Sequence, residues 1–372
     1  MTRLREALNG IADDAPLVDL ADLAIAGHRR RRRTTTALAA LATAVVLGVT
    51  TVVVTLPGQG ANQPATPQRP DTVQDLPAGR VGRLSHAYRT SCEVGAERHL
   101  DCGAVEWRVV TAAGTTYRVP QALALTTKED TAPVAISRDG RLLAYYSRQA
   151  QAHVVRDLIT GSEAISAATV KEDRIGMGSM LVVSDDGRHL AFDPREGSKQ
   201  PGSLIDTRTG RTVPINGKYE PVAIKGGVAE LVRYIKTDLW LMPVNGGGRP
   251  VRFEGVFIMF SETAPDGRTV VAFDRDGPPM RDDLVRNRLT VLDARTGRIL
   301  RKVTMRGLPT GRGQAVGTGP WLNGHEVTVA YQDKRNMSTY GVDVGTGKAR
   351  LLSRYPDRRE NMILPGFAQV IP

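Results

Sequence analysis

Apolar and polar positions change their rhythm three times along this chain. In the first 33 residues, Leu4, Leu8 and Ile11 fall at helical spacing, Pro16 interrupts the pattern, and Leu17, Leu20 and Ala24 resume it. Two short amphipathic helices are predicted there. Arg29 to Arg33 are five consecutive arginines, and Thr34 to Leu56 then carry no charge over 23 residues. A helix of that length reaches about 35 Å, enough to cross a ~30 Å hydrocarbon core. A buried core helix would show a polar stripe, and a cleaved leader would be shorter and end in a small-residue cleavage site. Neither feature is present, so residues 34–56 are read as one transmembrane helix. Pro57, Pro64, Pro67, Pro70 and Pro77 then mark 57–79 as an extended polyproline-type linker.

From residue 80 onward, short apolar runs alternate with polar turns, and no amphipathic helical period intervenes. Two turn patterns recur. The first is Ser137-Arg138-Asp139-Gly140 before Arg-Leu-Leu-Ala-Tyr. It returns as Ser184-Asp185-Asp186-Gly187, as Ala264-Pro265-Asp266-Gly267 and, worn, as Leu322-Asn323-Gly324. The second is Asp-x-x-Thr-Gly at 157–161, 206–210, 293–297 and 343–347. In both, Asp accepts backbone N–H groups and Gly takes the positive φ that closes a hairpin. Two hairpins make one four-stranded blade. Glycines of the second type fall near 114, 161, 210, 247, 297 and 347, a mean interval of about 47 residues, within the range for propeller blades. The expected fold is therefore all-β, a six-bladed propeller over 80–372, with seven blades as the alternative count. The C-terminal stretch Met362–Ile371 is expected to supply a strand that closes the ring on the first blade.

The Ser-x-Asp-Gly-Arg-x-Leu-Ala-Tyr/Phe pattern resembles the WD40-like repeats of TolB-type β-propellers. So does Asp238-Leu-Trp-Leu-Met-Pro-Val-Asn-Gly-Gly247. The resemblance covers most of residues 120–355 and implies the fold; it is nearly silent on function, because such propellers serve many roles. The leader 1–33 is similar to those of single-pass bacterial envelope proteins, membrane-bound anti-sigma factors among them. It contains no cysteine, so it is not a zinc-binding module of that kind.

Charge decides the orientation. The net charge is +11, and Arg outnumbers Lys 41 to 9. Residues 1–33 hold seven arginines against five acids (+2); the remainder holds 43 basic against 34 acidic residues (+9). Beyond residue 33 these charges are scattered along turns, without basic runs or interleaved aromatics, so no nucleic-acid partner is expected. Attraction to an anionic envelope surface is the functional reading of that balance. The arginine block before the span places 1–33 in the cytoplasm of a bacterial cell and everything after Leu56 outside it. Cys92 and Cys102 are the only cysteines and lie on the external side, where they are candidates for a disulfide. Closing so short a loop contributes roughly 2–3 kcal/mol.

Catalytic signatures are missing. No Gly-x-Ser-x-Gly occurs, and the six histidines show no metal-ligand spacing. His99 alone does not make a metal site of the two cysteines, and His189 and His325 sit just after turns, where they are expected to face solvent. Asp274-Arg275-Asp276-Gly277, with Asp282 and Asp283, lacks the length and terminal Glu of a calcium loop. Gly277–Arg288 reads as a long loop at a blade edge, where binding tends to reside. Trp107, Trp240 and Trp321 are expected in blade packing. No cofactor, metal or catalytic residue is assigned. The function expected is a membrane-anchored, non-catalytic binding or scaffolding module for an envelope protein, peptide or glycan. The alternatives are a transmembrane signalling protein whose leader binds a regulator, and a propeller hydrolase or lyase with carboxylates or histidines converging on the axis.

Overall fold

A computed structural model of the chain describes residues 73–94, 100–234, 236–275, 287–309, 313–333, 336–355 and 361–368. The leader, the apolar span, most of the linker, His99 and nearly all of the 277–288 insertion lie outside these. Among the described residues no helix is long and apolar enough to cross a membrane, and the one helical element is a 3-10 turn at Glu172–Arg174.

Among the described residues, six sheets of four or five strands follow one another around a ring, so the blade count is six. Blade 2 comprises Val134–Ile136, Leu142–Ser147, Ala152–Asp157 and Glu163–Thr169, paired antiparallel in sequence order. Blade 3 runs through Met180–Val183, His189–Asp193, Gly202–Asp206 and Thr212–Ile215. Blade 4 uses Glu220–Lys225, Val228–Arg233, Asp238–Pro243 and Val251–Arg252. Phe257–Ile258, Thr269–Asp274, Arg288–Asp293 and Ile299–Thr304 form blade 5, and Gln314–Trp321, Glu326–Gln332, Met337–Asp343 and Ala349–Tyr355 form blade 6. The first strand of each blade faces the axis, where neighbouring blades meet.

Blade 1 is the exception, assembled from both ends of the domain. Its own strands are Leu84–Arg89, Trp107–Thr111 and Thr116–Arg118. The inner position is filled by Met362–Ile363, which pairs antiparallel as Tyr88↔Met362 and Ala87↔Ile363. The C-terminal strand expected to close the ring therefore does so. On the outer edge, Gln74–Asp75 adds a fifth strand, parallel to Tyr117–Arg118. The chain thus joins the propeller six residues before the boundary that proline density suggested. Leu76 is buried in the first core, and the buried Arg156 guanidinium donates to Pro77 O and Gly79 O, which holds the end of the linker against blades 1 and 2.

Each interface between blades has its own apolar core. Leu84, Trp107 and Val109 of blade 1 meet Ile136, Leu143 and Val154 of blade 2, and the other neighbours repeat the arrangement. Central strands covered on both faces need apolar residues at successive positions, which is why Leu142–Ser147 is buried throughout. The sixth core, at the seam of blades 6 and 1, exists because the C-terminal segment brings Met362, Leu364 and Phe367 against Val316, Ala330, Met337 and Tyr355.

The recurrent turns do what their residues suggest. Ser137 Oγ donates to Asp139 Oδ1 at 2.8 Å and accepts Leu142 N at 2.8 Å; Ser184 and Asp186 repeat this in blade 3. Asp206 Oδ1 accepts the N–H groups of Arg208 and Thr209 at 3.0 Å, and Asp293 and Asp343 cap their turns in the same way. The two turn types are also tied to each other. The Arg after Asp-Gly reaches the Asp of the second turn: Arg188–Asp206 at 3.0 Å, Arg268–Asp293 at 2.6 Å and Arg141–Asp157 at 3.5 Å. Arg268 holds the Asp293 carboxyl well down, at about 2. Three of the four glycines of the Asp-x-x-Thr-Gly turns, finally, seat against the preceding blade's outer strand: Gly210 on Ala167, Gly297 on Arg252, Gly347 on Thr304; Gly161 meets Ala78 and Gly79 instead.

Candidate functional site

The inner strands of blades 2 to 6 end in a charged group around the axis. Arg138, just after the inner strand of blade 2, pairs with Glu262 of blade 5 at 2.8 Å and with Asp185 of blade 3 at 3.4 Å. Lys225, at the end of the inner strand of blade 4, lies 3.4 Å from Glu262 Oε1 and donates to Thr263 O at 2.9 Å. The backbone N–H of Trp321 in blade 6 donates to the same Glu262 oxygen at 3.1 Å, and Trp321 Nε1 donates to Glu262 O at 2.8 Å. Beneath them, fully buried Glu230 accepts Thr263 N at 2.7 Å, and burial pushes its carboxyl up to about 7.

Carboxylates therefore do converge on the axis, the arrangement that a hydrolase reading requires. Their bonding ties blades to one another. Glu262 is 9% exposed and carries two cations and a backbone donor. A carboxylate so engaged ties blades 2, 4, 5 and 6 together. The C-terminal segment reaches this same region. Gly366 N donates to Ile136 O at 3.0 Å, and Phe367, 7% exposed, packs into the seam core. Two cavities of about 20 Å³ flank this segment, each room for about one water.

Other singled-out residues fall elsewhere. Cys92 and Cys102 are joined by a disulfide, Cα–Cα 4.3 Å, at the base of a small hairpin of Glu93–Val94 and Leu100–Asp101. Val94 and Leu100, 69% and 59% exposed, are cross-strand partners on it. A groove of about 550 Å³ beside it is lined by Cys102, Ala122, Leu123, Ser147 and Arg148 among others. His189 is half-buried with Nε2 3.9 Å from Asp206, and His325 is exposed; neither meets a second histidine. Asp274 pairs with Lys302. Among the described residues no group of His, Cys, Asp and Glu is arranged to hold a metal ion. Trp107 and Trp321 are core residues, and Trp240 is half-buried, edge-on to Tyr219.

Sequence reasoning passed over Arg138, Lys225, Glu230 and Glu262, which come from three blades and form no local motif. The signal for Arg138 and Asp185 was their shared place, one residue after Ser in the first turn. His153 was also missed. It is buried between Tyr146 and Phe192, both ring nitrogens lack partners, and burial lowers its pKa to about 4.

No protein-family model matches the chain, and no curated protein matches it. Solved propeller structures do. TolB from Acinetobacter baumannii is 17% identical, TM-score 0.47, over 76% of this chain and 65% of that one. The Cps50 (Swd1) β-propeller domain from Myceliophteria thermophila is 17% identical, TM-score 0.38, over 64% and 75%. The WD40 repeats of RRP9 are 13% identical, TM-score 0.44, over 79% and 87%. The chain spans just under two thirds of the TolB chain that it matches.

Proposed function

We propose that this chain is a single-pass protein of a bacterial cell membrane, and that its propeller lies outside the cytoplasm as a non-catalytic binding or scaffolding module for an envelope protein, peptide or glycan. The observation that supports the non-catalytic part is Glu262: this axial carboxylate is engaged by Arg138, Lys225 and Trp321 N. The arginine block ahead of an uncharged 23-residue stretch supports the topology. A Cys92–Cys102 disulfide suits an oxidising compartment.

Crosslinking and affinity capture of the tagged full-length protein from intact cells, with partners sorted by compartment, tests this reading. Envelope partners held through the propeller are expected. A cytoplasmic regulator, lost when Leu4, Leu8 and Ile11 become Ser, would overturn the scaffolding role in favour of signalling.

A further inference from the structure

The inner strand of blade 6 contains Val316-Gly317-Thr318-Gly319-Pro320. Glycine inside a strand weakens it, and often marks a place where something approaches the backbone closely. Here that something is the Phe367 ring. A Cβ on Gly319 would stand 2.5 Å from its Cζ and 2.8 Å from its Cδ2, and a Cβ on Gly317 3.7 Å from its edge. The side chain between them, Thr318, donates its hydroxyl to Met259 O of blade 5, so the glycines alone form the floor. Gly366 delivers the ring: at φ +71° it turns the chain where a Cβ would lie 2.6 Å from Pro320 Cγ. Its N–H is bonded to Ile136 O, a main-chain acceptor on the opposite wall. Tyr234, Met259 and Phe260 border one flanking cavity, and Ile136, Val182 and Ile224 the other, so the slot is not packed shut around its occupant.

We propose that this glycine-floored axial slot is a recognition site for an aromatic side chain on a peptide that turns at the preceding glycine, and that Phe367 is its resident ligand, held in cis. The ligand is a peptide because the slot offers a backbone acceptor, Ile136 O, at the residue preceding the aromatic one. Pro365-Gly366 is the hinge. Phe367 leaves while Met362 and Ile363 stay paired with Tyr88 and Ala87, so the ring remains closed as the slot opens. This names the ligand class for the binding role proposed above and depends on that role only for its use in the cell.

The probe is a capped synthetic peptide with the sequence of residues 364–368, Leu-Pro-Gly-Phe-Ala, titrated calorimetrically into the purified full chain. Phe367→Ala is expected to bind it saturably and at least tenfold more tightly than the parent. The same peptide with alanine in place of phenylalanine should not bind, and adding Gly319→Val should abolish binding. A folded Phe367→Ala chain that ignores the peptide, or binding unaffected by Gly319→Val, overturns the proposal. Should Phe367→Ala fail to fold, the parent chain carries the test. Excess peptide is expected to speed hydrogen exchange at Phe367, whose N–H is bonded to Leu364 O at 3.1 Å, while Met362 and Ile363 keep their protection; unchanged exchange at Phe367 overturns it. No slot binding together with captured envelope partners would remove the slot and leave the binding role standing.

Discussion

Gly297 tests whether the repeated turns hold blades to one another as well as strands within a blade. It closes the turn before the outer strand of blade 5 at φ +74°. A methyl group there would overlap Arg252 O of blade 4 and stand 2.8 Å from the Arg252 carbonyl carbon and 3.3 Å from Phe253 Cα. The obstacle is main chain, so no rotamer change relieves it. Gly267, in the first turn of the same blade, is the control: φ +62°, with nothing within 4 Å of a built Cβ. Alanine at either site carries the left-handed cost of about 1–2 kcal/mol, offset by about 0.4–1 kcal/mol from a stiffer unfolded chain. Only Gly297→Ala adds the strain of an overpacked contact, about 1–3 kcal/mol. For a domain of about 300 residues, each kcal/mol moves the midpoint by roughly 1.6 °C. Scanning calorimetry should therefore find Gly297→Ala melting about 2–5 °C below Gly267→Ala. Gly347→Ala, which meets Thr304 in the equivalent position of blade 6, should follow Gly297→Ala. If Gly297→Ala and Gly267→Ala melt together, the turn glycine serves only its own φ, and the blades do not seat on these turns.

Three further outcomes are expected. Burial, with the Glu196 and Asp193 charges, pushes Glu220 up to about 8, and burial chiefly pushes Asp193 up to about 7. Their contribution to stability is full below the ordinary carboxylate range and is lost as pH rises through 7 to 8. Urea unfolding of Glu220→Gln should lose much of the parent's decline between pH 5 and 8.5, and parallel pH curves would refute this. His153 has the opposite sign: with its pKa lowered to about 4 by burial, its contribution is present above about 6.5 and lost as pH falls toward 4. His153→Phe should unfold at a lower pH than the parent, and an unchanged acid midpoint would show that the ring does not set acid stability. Arg138→Ala leaves Glu262 with Lys225 as its one cation, at a cost of about 1–3 kcal/mol because Arg138 is partly solvated. A double-mutant cycle with Glu262→Gln in denaturant should recover most of that as coupling, and additive effects would dissolve the pair.

Much of the fold was legible because it is written locally. Asp206 and Gly210 make a turn from five consecutive residues, and the strands flanking it are apolar enough to be recognised without a partner. Repetition then supplied the blade count, even though blade 4 replaces the first turn with Gly226-Gly227 and the second with Asn245-Gly246. What escaped is what joins one turn, or one blade, to another. Arg188 reads as a solvated turn residue until its bond to Asp206 is seen, and the Gly319 floor has no meaning without Phe367, which lies beyond the last repeat. The same limit applies to the axial charges: Arg138 and Glu262 are 124 residues apart and meet at 2.8 Å. Leu76 shows the complementary error. A linker boundary drawn from proline density cannot register one leucine that a distant core receives.

Ring closure is where the sequence-distant pieces bear most on stability. Blade 1 takes its outer edge from Gln74–Asp75 and its inner edge from Met362–Ile363, so it cannot be completed until residues 362–363 are available, and its closure pairing is highly non-local. Met362, Ile363 and Leu364 are each 1% exposed and Phe367 7%. At about 1.5–3 kcal/mol for each buried side chain, the four contribute roughly 6–12 kcal/mol, comparable with the entire 5–15 kcal/mol stability of a typical domain. Deleting residues 361–372 should therefore do more than lower a melting point: it should open the seam, with hydrogen exchange rising first at Ala87 and Tyr88 in blade 1 and at Val316 in blade 6, ahead of Leu204 and Ile205 in blade 3. A truncated chain that still melts cooperatively within a few degrees of the parent would mean that neighbouring blades hold the ring without its last strand, and that the sixth core is dispensable.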